Sequence, residues 1–208
     1  MAPAEMVPLR GSPLARWFLS LWGWRVVFHG LPYRQGVVII YPHTSNWDFV
    51  ILVLAKWAVG LPATFWGKDT LFRIPLFGRW MRWIGGKPVI RNAPQGVVGQ
   101  AVDALKAAKE QGAVLWWALS PEGTRRLTPG WRSGFYQAAL GAEVPVGLVR
   151  VDFARKEVRV VDFVHLTGDR EADMARIRAG FDGVVAYRPA WMSPIVLNKQ
   201  GQQQHGQQ

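Results

Sequence analysis

The sequence predicts an α/β fold in a single domain, with a sheet covered by helices on both faces. Short apolar runs rich in β-branched residues alternate along the chain with segments of helical periodicity, which is the pattern of α/β proteins. The length of 208 residues is that of one domain, and 50% of the residues are hydrophobic, so the chain can bury a substantial core. The absence of Cys excludes disulfides, thiolate metal ligands and a cysteine nucleophile.

An amphipathic helix is predicted first, over residues 12–22. Apolar residues recur there at helical spacing, and Ser12 and Pro13 suit its cap and first turn. Further helices are predicted at 48–59, 80–84, 95–111, 133–140 and 170–181. Strands are predicted at 24–29, 37–41, 64–67, 88–91, 113–119, 144–152 and 158–163. We therefore divide the chain into an N-terminal segment at 1–23, a main domain at 24–190 and a disordered Gln-rich tail at 198–208.

Basic residues are in excess and are unevenly distributed. The chain has 25 Lys and Arg against 14 Asp and Glu, a formal net charge of +11. Residues 1–102 carry +8 of this charge and residues 103–208 carry +3. Such a field attracts phosphate, whether in nucleic acid, in an anionic membrane or in a phosphorylated substrate. Composition does not choose among these.

Residues 49–67 are the best candidate for a membrane span, but Lys56 lies near their middle and Gly60-Leu61-Pro62 interrupts them. A spanning helix needs about 20 consecutive apolar residues. Residues 1–10 lack the basic start, apolar run and cleavage site of a secretory signal. We therefore expect neither a spanning helix nor a signal peptide.

His43 follows a predicted buried strand, and Asp48 comes five residues later. Imidazole suits proton transfer near neutral pH, and a carboxylate on one ring nitrogen fixes the tautomer so that the other nitrogen can accept a proton. The two side chains can meet if His43 lies in the turn and Asp48 in the first turn of the next helix. The alternative is that Asp48 or Ser45 only caps that helix and that His43 is a structural hydrogen-bond donor.

A second polar cluster, at residues 120–126, follows another predicted strand and combines a glycine, a threonine hydroxyl and two arginines. Arg binds phosphate bidentately, so the cluster is a candidate anion site. The alternative is a solvated turn in which Glu122 pairs with an arginine. Both clusters lie beyond the carboxyl ends of strands, where α/β sheets bind ligands.

Four sequence blocks together resemble the glycerolipid acyltransferase family, which includes the 1-acylglycerol-3-phosphate acyltransferases. They extend over about two thirds of the chain, from residue 24 to residue 152. The resemblance implies a glycerol-3-phosphate acyltransferase-like fold with a mixed, mostly parallel sheet. The blocks are His43-x4-Asp48; Gly67-Lys68 with Leu71-Phe72, Pro75 to Gly78 and Val89-Ile90-Arg91; Pro121-Glu122-Gly123-Thr124-Arg125; and Val144-Pro145-Val146.

The resemblance also implies transfer of an acyl group from a thioester, carried by coenzyme A or acyl carrier protein, to a lysolipid hydroxyl, with 1-acylglycerol-3-phosphate as the default acceptor. It implies that His43 is the general base and Asp48 its orienting partner, without a covalent acyl-enzyme. No resident cofactor and no metal are expected. The residues that the resemblance assigns to substrate binding are Lys68, Arg91, Glu122, Gly123, Thr124 and Arg125.

We expect a peripheral membrane protein on the cytoplasmic face. One face of the helix at 12–22 carries four large apolar residues, which suits a helix lying in an anionic membrane surface; the alternative is that this face packs on the sheet. Acylation of another lysolipid, such as a lyso-ornithine lipid, stays open, as does the oligomeric state. A basic nucleic-acid-binding module is the alternative from another class, and we expect no nucleic-acid partner because no recognition motif is present. The four apolar residues are Trp17, Phe18, Leu21 and Trp22.

Overall fold

Seven strands form one sheet in the computed structural model of the chain, which describes residues 6–89 and 96–198 apart from the Lys68 side chain. Their spatial order is β1-β7-β6-β2-β5-β3-β4. Strand β7 is antiparallel to β6, and all other neighbouring pairs are parallel. The mixed, mostly parallel sheet is therefore confirmed. The strands are β1 (Arg25–Val27), β2 (Gln35–Tyr41), β3 (Ala63–Lys68), β4 (Gly86–Val89), β5 (Leu115–Leu119), β6 (Val146–Asp152) and β7 (Glu157–Val164).

Helices cover both faces of the sheet. Because side chains alternate along a strand, Val38 of β2 lies in the core with α1 and α2, whereas Val37 and Ile39 lie in the core with α5, α6 and α7. A short 3-10 turn, Pro189–Trp191, follows the last helix. The helices are α1 (Pro13–Leu21), α2 (Asn46–Val59), α3 (Asp69–Arg73), α4 (Phe77–Trp83), α5 (Gly96–Glu110), α6 (Gly134–Ala142) and α7 (Arg170–Gly180).

The first two helices begin at side chains that accept hydrogen bonds from their own backbone. The Ser12 hydroxyl accepts from the Ala15 N–H at 3.2 Å, with Pro13 as the first helical residue, as predicted. Helix α2 begins at Asn46, two residues before the predicted start, because Ser45 is its N-cap and Asp48 completes a capping box. Gly60 is the C-cap of α2, and its φ of 73° is the left-handed conformation common after helices.

The region between β3 and α5 differs most from the prediction. Helix α3 was not predicted, because five residues are too few to show a helical period. Strand β4 is Gly86–Val89 rather than 88–91. The end of the predicted strand and the start of the predicted helix at 95–111 lie outside the described residues.

The chain stays packed beyond α7. The Trp131 N–H donates to Val196 O at 2.7 Å, and the Asn198 N–H donates to Trp131 O at 2.8 Å. The first residue of the predicted tail is therefore hydrogen-bonded, and the remainder, 199–208, lies outside the described residues. Nowhere in the described ranges is a helix both long and apolar enough to cross a bilayer.

Candidate active site

The sheet brings the two polar clusters together. Strands β2 and β5 are parallel neighbours, with Ile39 opposite Leu119, so the loops that follow them leave the same edge of the sheet. The two loops are joined directly, because the His43 N–H donates to Glu122 Oε2 at 2.7 Å.

His43 and Asp48 face each other at the start of α2. His43 Nδ1 lies 3.2 Å from Asp48 Oδ2, although its N–H direction is not aligned with an acceptor among the described residues. The Asp48 side chain is buried, and its Oδ2 also accepts from the backbone N–H groups of Thr44 and Ser45 at 2.7 and 2.8 Å. The carboxylate is thus held in place beside the imidazole by the backbone.

Asp48 both caps α2 and lies beside His43. Asp48 is the third residue of α2, so its carboxylate reaches back to the N-cap and stabilises the helix. The same position turns one oxygen toward the imidazole. Capping and contact with His43 are therefore two consequences of one geometry.

Glu122 is not the arginine partner of a solvated turn. Its side chain is buried, and its second oxygen, Oε1, accepts from the Ser193 N–H at 3.1 Å. Burial raises the pKa of Glu122, while the hydrogen bonds from Ser193 and His43 oppose that rise. One buried carboxylate therefore ties the His43 loop to the C-terminal segment.

Sequence reasoning missed the residues of this C-terminal segment. The Tyr41 hydroxyl donates to Ser193 O at 2.9 Å, and the Arg188 N–H donates to the Thr44 hydroxyl at 3.1 Å. The pKa of Tyr41 is raised to about 12 by burial and by the charge of Glu122. Arg188 contributes a backbone group, which any residue type carries. Ser193 contributes its backbone and also its buried hydroxyl, which accepts from the Thr128 N–H at 3.1 Å, but a single serine outside any motif gives no sequence signal.

The glycine of the second cluster is required by its surroundings. Gly123 has a φ of 67°, and a Cβ there would lie 2.5 Å from Arg132 Nε, so a side chain would displace that arginine. Arg125 and Arg132 are both exposed at this point. Within the described residues neither of them forms an ion pair, which leaves both guanidinium groups available to an anion.

A cavity of about 1550 Å³ connects the two clusters. His43, Thr124 and Arg125 line its polar part. It continues as an apolar space beside α2, whose lining includes Phe49, Leu52, Val53 and Phe65. The cavity therefore joins an imidazole and an anion site to room for an apolar chain.

Of the predicted substrate-binding residues, Gly123, Thr124 and Arg125 line the cavity, whereas the buried Glu122 does not. The backbone of Lys68 ends β3 at the same edge of the sheet, and its side chain lies outside the description. Arg91 also lies outside the described residues. The residues that the structure does describe contain no group of three His, Asp or Glu placed to hold a metal ion.

An imidazole beside a buried carboxylate, arginines without an ion pair and an apolar cavity are the groups that an enzyme transferring apolar acyl groups requires. A family model described as Acyltransferase matches residues 12–150. The chain belongs to this acyltransferase family and is an O-acyltransferase.

Among solved structures, the fold is similar to that of the 1-acyl-sn-glycerophosphate (LPA) acyltransferase PlsC from Thermotoga maritima. The two share 20% sequence identity at a TM-score of 0.51, and the likeness covers 80% of this chain and 75% of the other. The comparison with curated protein sequences found no match. The family match ends at residue 150, so Arg188 and Ser193, which hold the two loops of the site, lie beyond it.

Proposed function

We propose that the protein transfers a fatty acyl group from an acyl thioester to the hydroxyl of 1-acylglycerol-3-phosphate, giving phosphatidic acid. The observation that carries this proposal is the cavity in which His43 and Arg125 meet an apolar space. The thioester is a co-substrate carried by coenzyme A or acyl carrier protein. No resident cofactor takes part.

In this reaction His43 is the general base. Its Nε2 accepts the proton of the acceptor hydroxyl as that oxygen attacks the thioester carbonyl. The C–S bond then breaks, and the imidazolium gives its proton to the departing thiolate, which leaves as a thiol. Asp48 holds the proton on Nδ1, so that Nε2 is free to accept. Asp48 also favours the imidazolium that forms.

Ser45 is not a nucleophile in this mechanism, although it lies two residues from His43. Its hydroxyl lies 3.2 Å from Asp48 Oδ1 and accepts from the Trp47 N–H at 3.0 Å. Both contacts belong to the cap of α2. The acyl group therefore passes directly to the acceptor, without an acyl-enzyme.

The acceptor phosphate binds at the second cluster. Gly123 lets the backbone approach closely, and Thr124 and Arg125 supply a hydroxyl and a guanidinium. Glu122 shapes this loop through its two hydrogen bonds. Lys68 and Arg91 add positive charge.

Helix α1 brings the protein to its lipid substrate at the cytoplasmic face of an anionic membrane. Ala15 and Leu19 pack against the core. Trp17 and Leu21 are 54% and 59% exposed, so the predicted apolar face points outward rather than onto the sheet. Exposed apolar residues on such a helix suit the headgroup region of a bilayer.

The test of the acceptor compares Arg125→Ala with Arg126→Ala on two substrates. Charge-assisted hydrogen bonds contribute about 1.5–3 kcal/mol, so Arg125→Ala should raise KM for 1-acylglycerol-3-phosphate by about one to two decades. Turnover of a lysolipid without phosphate should be affected little. Arg126→Ala should change neither value, because Arg126, unlike Arg125, does not line the cavity. An equal loss on both substrates would show that Arg125 does not bind phosphate. Faster turnover of the phosphate-free lysolipid by the parent would show that 1-acylglycerol-3-phosphate is not the preferred acceptor.

A further inference from the structure

The helices α3 and α4 expose an apolar surface that lies outside the cavity of the candidate active site. Leu76, between the two helices, is 82% exposed, and Trp83, at the end of α4, is 69% exposed. Single exposed apolar residues are ordinary, but a cluster of large ones marks an interaction site. We call this cluster the α3–α4 surface: Leu71, Ile74, Leu76, Phe77, Trp80 and Trp83.

The opposite side of these helices is already packed. Phe72, Met81 and Ile84 form a small buried core of their own, with Phe65 and Phe49 against it. The helices therefore do not need the α3–α4 surface for their attachment to the sheet. It is the side that the folded chain leaves free.

The exposure of Leu76 is built into the backbone. Its φ of 44° is a conformation that is unfavourable for residues with a side chain. The folded core gains nothing from an exposed leucine in such a conformation. A partner that covered Leu76 would offset the cost of exposing it in this conformation.

Positive charge surrounds the α3–α4 surface. Residues 70–89 contain no Asp or Glu. Asp69, at the start of α3, is paired with Arg73 at 2.8 Å. Large apolar side chains among cations match an anionic lipid surface, where apolar groups enter the headgroup region and nearby cations are attracted to the lipid charges. The cations of this segment are Arg73, Arg79, Arg82 and Lys87.

The α3–α4 surface lies on the same side of the sheet as α1. The Ser12 N–H, at the start of α1, donates to Trp57 O near the end of α2, and the Trp57 ring packs on Trp83 of α4 at 4.7 Å. At the other end of α2, the rings of Trp22 and Trp47 are 6.4 Å apart. Helix α2 thus lies between two exposed apolar surfaces, with His43 just before its first turn.

We propose that the α3–α4 surface is a second contact with an anionic lipid bilayer. This rests on the proposed function, in which α1 makes the first contact. One contact leaves the protein free to rotate about α1, whereas two contacts on either side of α2 fix its orientation. The cavity that begins at His43 then faces the headgroups from which the acceptor comes, and binding at two linked points strengthens the attachment.

The chain has no Cys, so single cysteines can carry a spin label without background. Leu76→Cys, Leu21→Cys and Val185→Cys place the label on the α3–α4 surface, on α1 and on an exposed apolar residue outside both surfaces. With vesicles of phosphatidylcholine and phosphatidylglycerol, labels at 76 and 21 should become accessible to oxygen and protected from an aqueous nickel complex. The label at 185 should stay aqueous.

The binding strength provides a second measurement. Fully burying a leucine-sized side chain is worth about 1.5–3 kcal/mol, so Ile74→Ser with Leu76→Ser should weaken vesicle binding at least about tenfold. Val185→Ser is the matched control and should leave binding unchanged. The double variant should acylate a detergent-dispersed acceptor at the parental rate, because it touches nothing in the cavity.

Three results would overturn the proposal. A label at 76 that stays aqueous while the label at 21 is protected leaves α1 as the sole contact. Protection at 76 without vesicles, rising with protein concentration, identifies a second copy of this chain as the partner. Protection that requires an acidic carrier protein identifies a docking site for the acyl donor. If the parent itself failed to acylate the detergent-dispersed acceptor, the result would instead count against the proposed function.

Discussion

The Asp48 carboxylate illustrates how one residue can serve both a helix and a base. Two backbone N–H groups hold one of its oxygens, and that same oxygen lies 3.2 Å from His43 Nδ1. Its position therefore does not depend on the imidazole. Because the carboxylate is already fixed, the imidazole beside it has little conformational entropy to lose when the acceptor binds.

Replacing His43 by Ala should lower turnover by about 10² to 10⁴-fold, because a positioned general base contributes that much. The fold should be unaffected, since the imidazole is not part of a core cluster. His29→Ala, which removes an exposed imidazole elsewhere, is the control. Turnover of His43→Ala within about threefold of the parent would remove His43 from the mechanism.

Asp48→Asn should reduce turnover less than His43→Ala but should also lower the thermal midpoint. The amide retains one acceptor oxygen for the N–H groups of Thr44 and Ser45, yet it loses the charge at the start of α2, worth about 0.3–1 kcal/mol. Thermal melts and rates measured on the same preparations separate the two effects. Unchanged stability would contradict the capping role.

Glu122→Gln should affect rate more than stability. An amide has a single acceptor oxygen, so it can serve the His43 N–H or the Ser193 N–H but not both, and the unpaired donor costs about 1–3 kcal/mol. Because burial raises the pKa of Glu122, removing its charge offsets part of that loss. We expect turnover to fall about tenfold or more with a small change in the denaturation midpoint.

The control for this substitution is Glu143→Gln, which neutralises an exposed glutamate. A parental rate with a large loss of stability would show that Glu122 only supports the fold. Restoration of the rate by any variant that returns two acceptor oxygens at this position would support its role in placing the His43 loop.

At this scale the sequence points to the side chains that we propose to carry chemistry and misses those that hold the loops around them. His43, Asp48 and Arg125 stand out because few residue types can do what they do. Ser193 supports Glu122 with its N–H, a group that nearly every residue has. The Ser193 hydroxyl also accepts from the Thr128 N–H and hydroxyl, but an isolated serine carries no pattern that the sequence alone could reveal.

At the scale of elements, β1 is attached to the sheet through a cluster of charges. Glu157 of β7 is buried and lies opposite Arg25 of β1 in the strand register. Its oxygens are 2.6 Å from Arg159 Nε and 2.9 Å from Arg25 Nε. The hydrogen bond from Arg159, together with the charges of Arg159 and Arg25, lowers the pKa of Glu157 to about 2.

A carboxyl group with a lowered pKa stabilises the fold above its ordinary pKa and loses that contribution as the pH falls to the folded value. As the pH falls from 4.5 to about 2, the free energy of unfolding of the parent should therefore decrease by the contribution of the Glu157 carboxylate. Glu157→Gln lacks this contribution at every pH and should not show that decrease. At neutral pH the substitution should lower the free energy of unfolding by about 1–3 kcal/mol, since it leaves arginines without their partner.

Urea denaturation across this pH range checks the prediction, with Glu110→Gln at an exposed position as the control. Parallel stability curves for Glu157→Gln and the parent below pH 4.5 would contradict it.

Most elements were predictable because each carries its own signal, as α1 does through its cap and period. The order of the strands was not, because pairing joins segments far apart in sequence. Strand β1 lies beside β7, and only the completed sheet determines that contact. Helix α3 was missed for the opposite reason, since it is too short to have a pattern.

For the molecule as a whole, the distribution of exposed apolar residues determines how we expect it to bind a membrane. Replacing Trp17, Phe18 and Trp22 by Ser should abolish the part of vesicle binding that resists high salt. Salt screens the attraction of cations to anionic lipid but does not screen apolar burial. The triple variant should remain folded, because these rings are exposed and α1 packs through Ala15 and Leu19.

Cosedimentation with anionic vesicles over a salt series gives the measurement, and circular dichroism reports the fold. Val185→Ser again provides the control. Salt-resistant binding that survives the three substitutions would exclude α1 as the anchor. Precipitation of the variant would mean that the rings support the core.

The hydrogen bond from the Ser193 N–H to Glu122 affects the order in which the parts of the site can form during synthesis. All the motifs of the acyltransferase family have been synthesised by residue 150, and the strands β2 and β5 that carry them can already pair. Glu122 then lacks one of its two donors until residue 193 has emerged. The growing chain therefore contains His43, Asp48 and Arg125 well before the Ser193 N–H can complete the hydrogen bonds of Glu122.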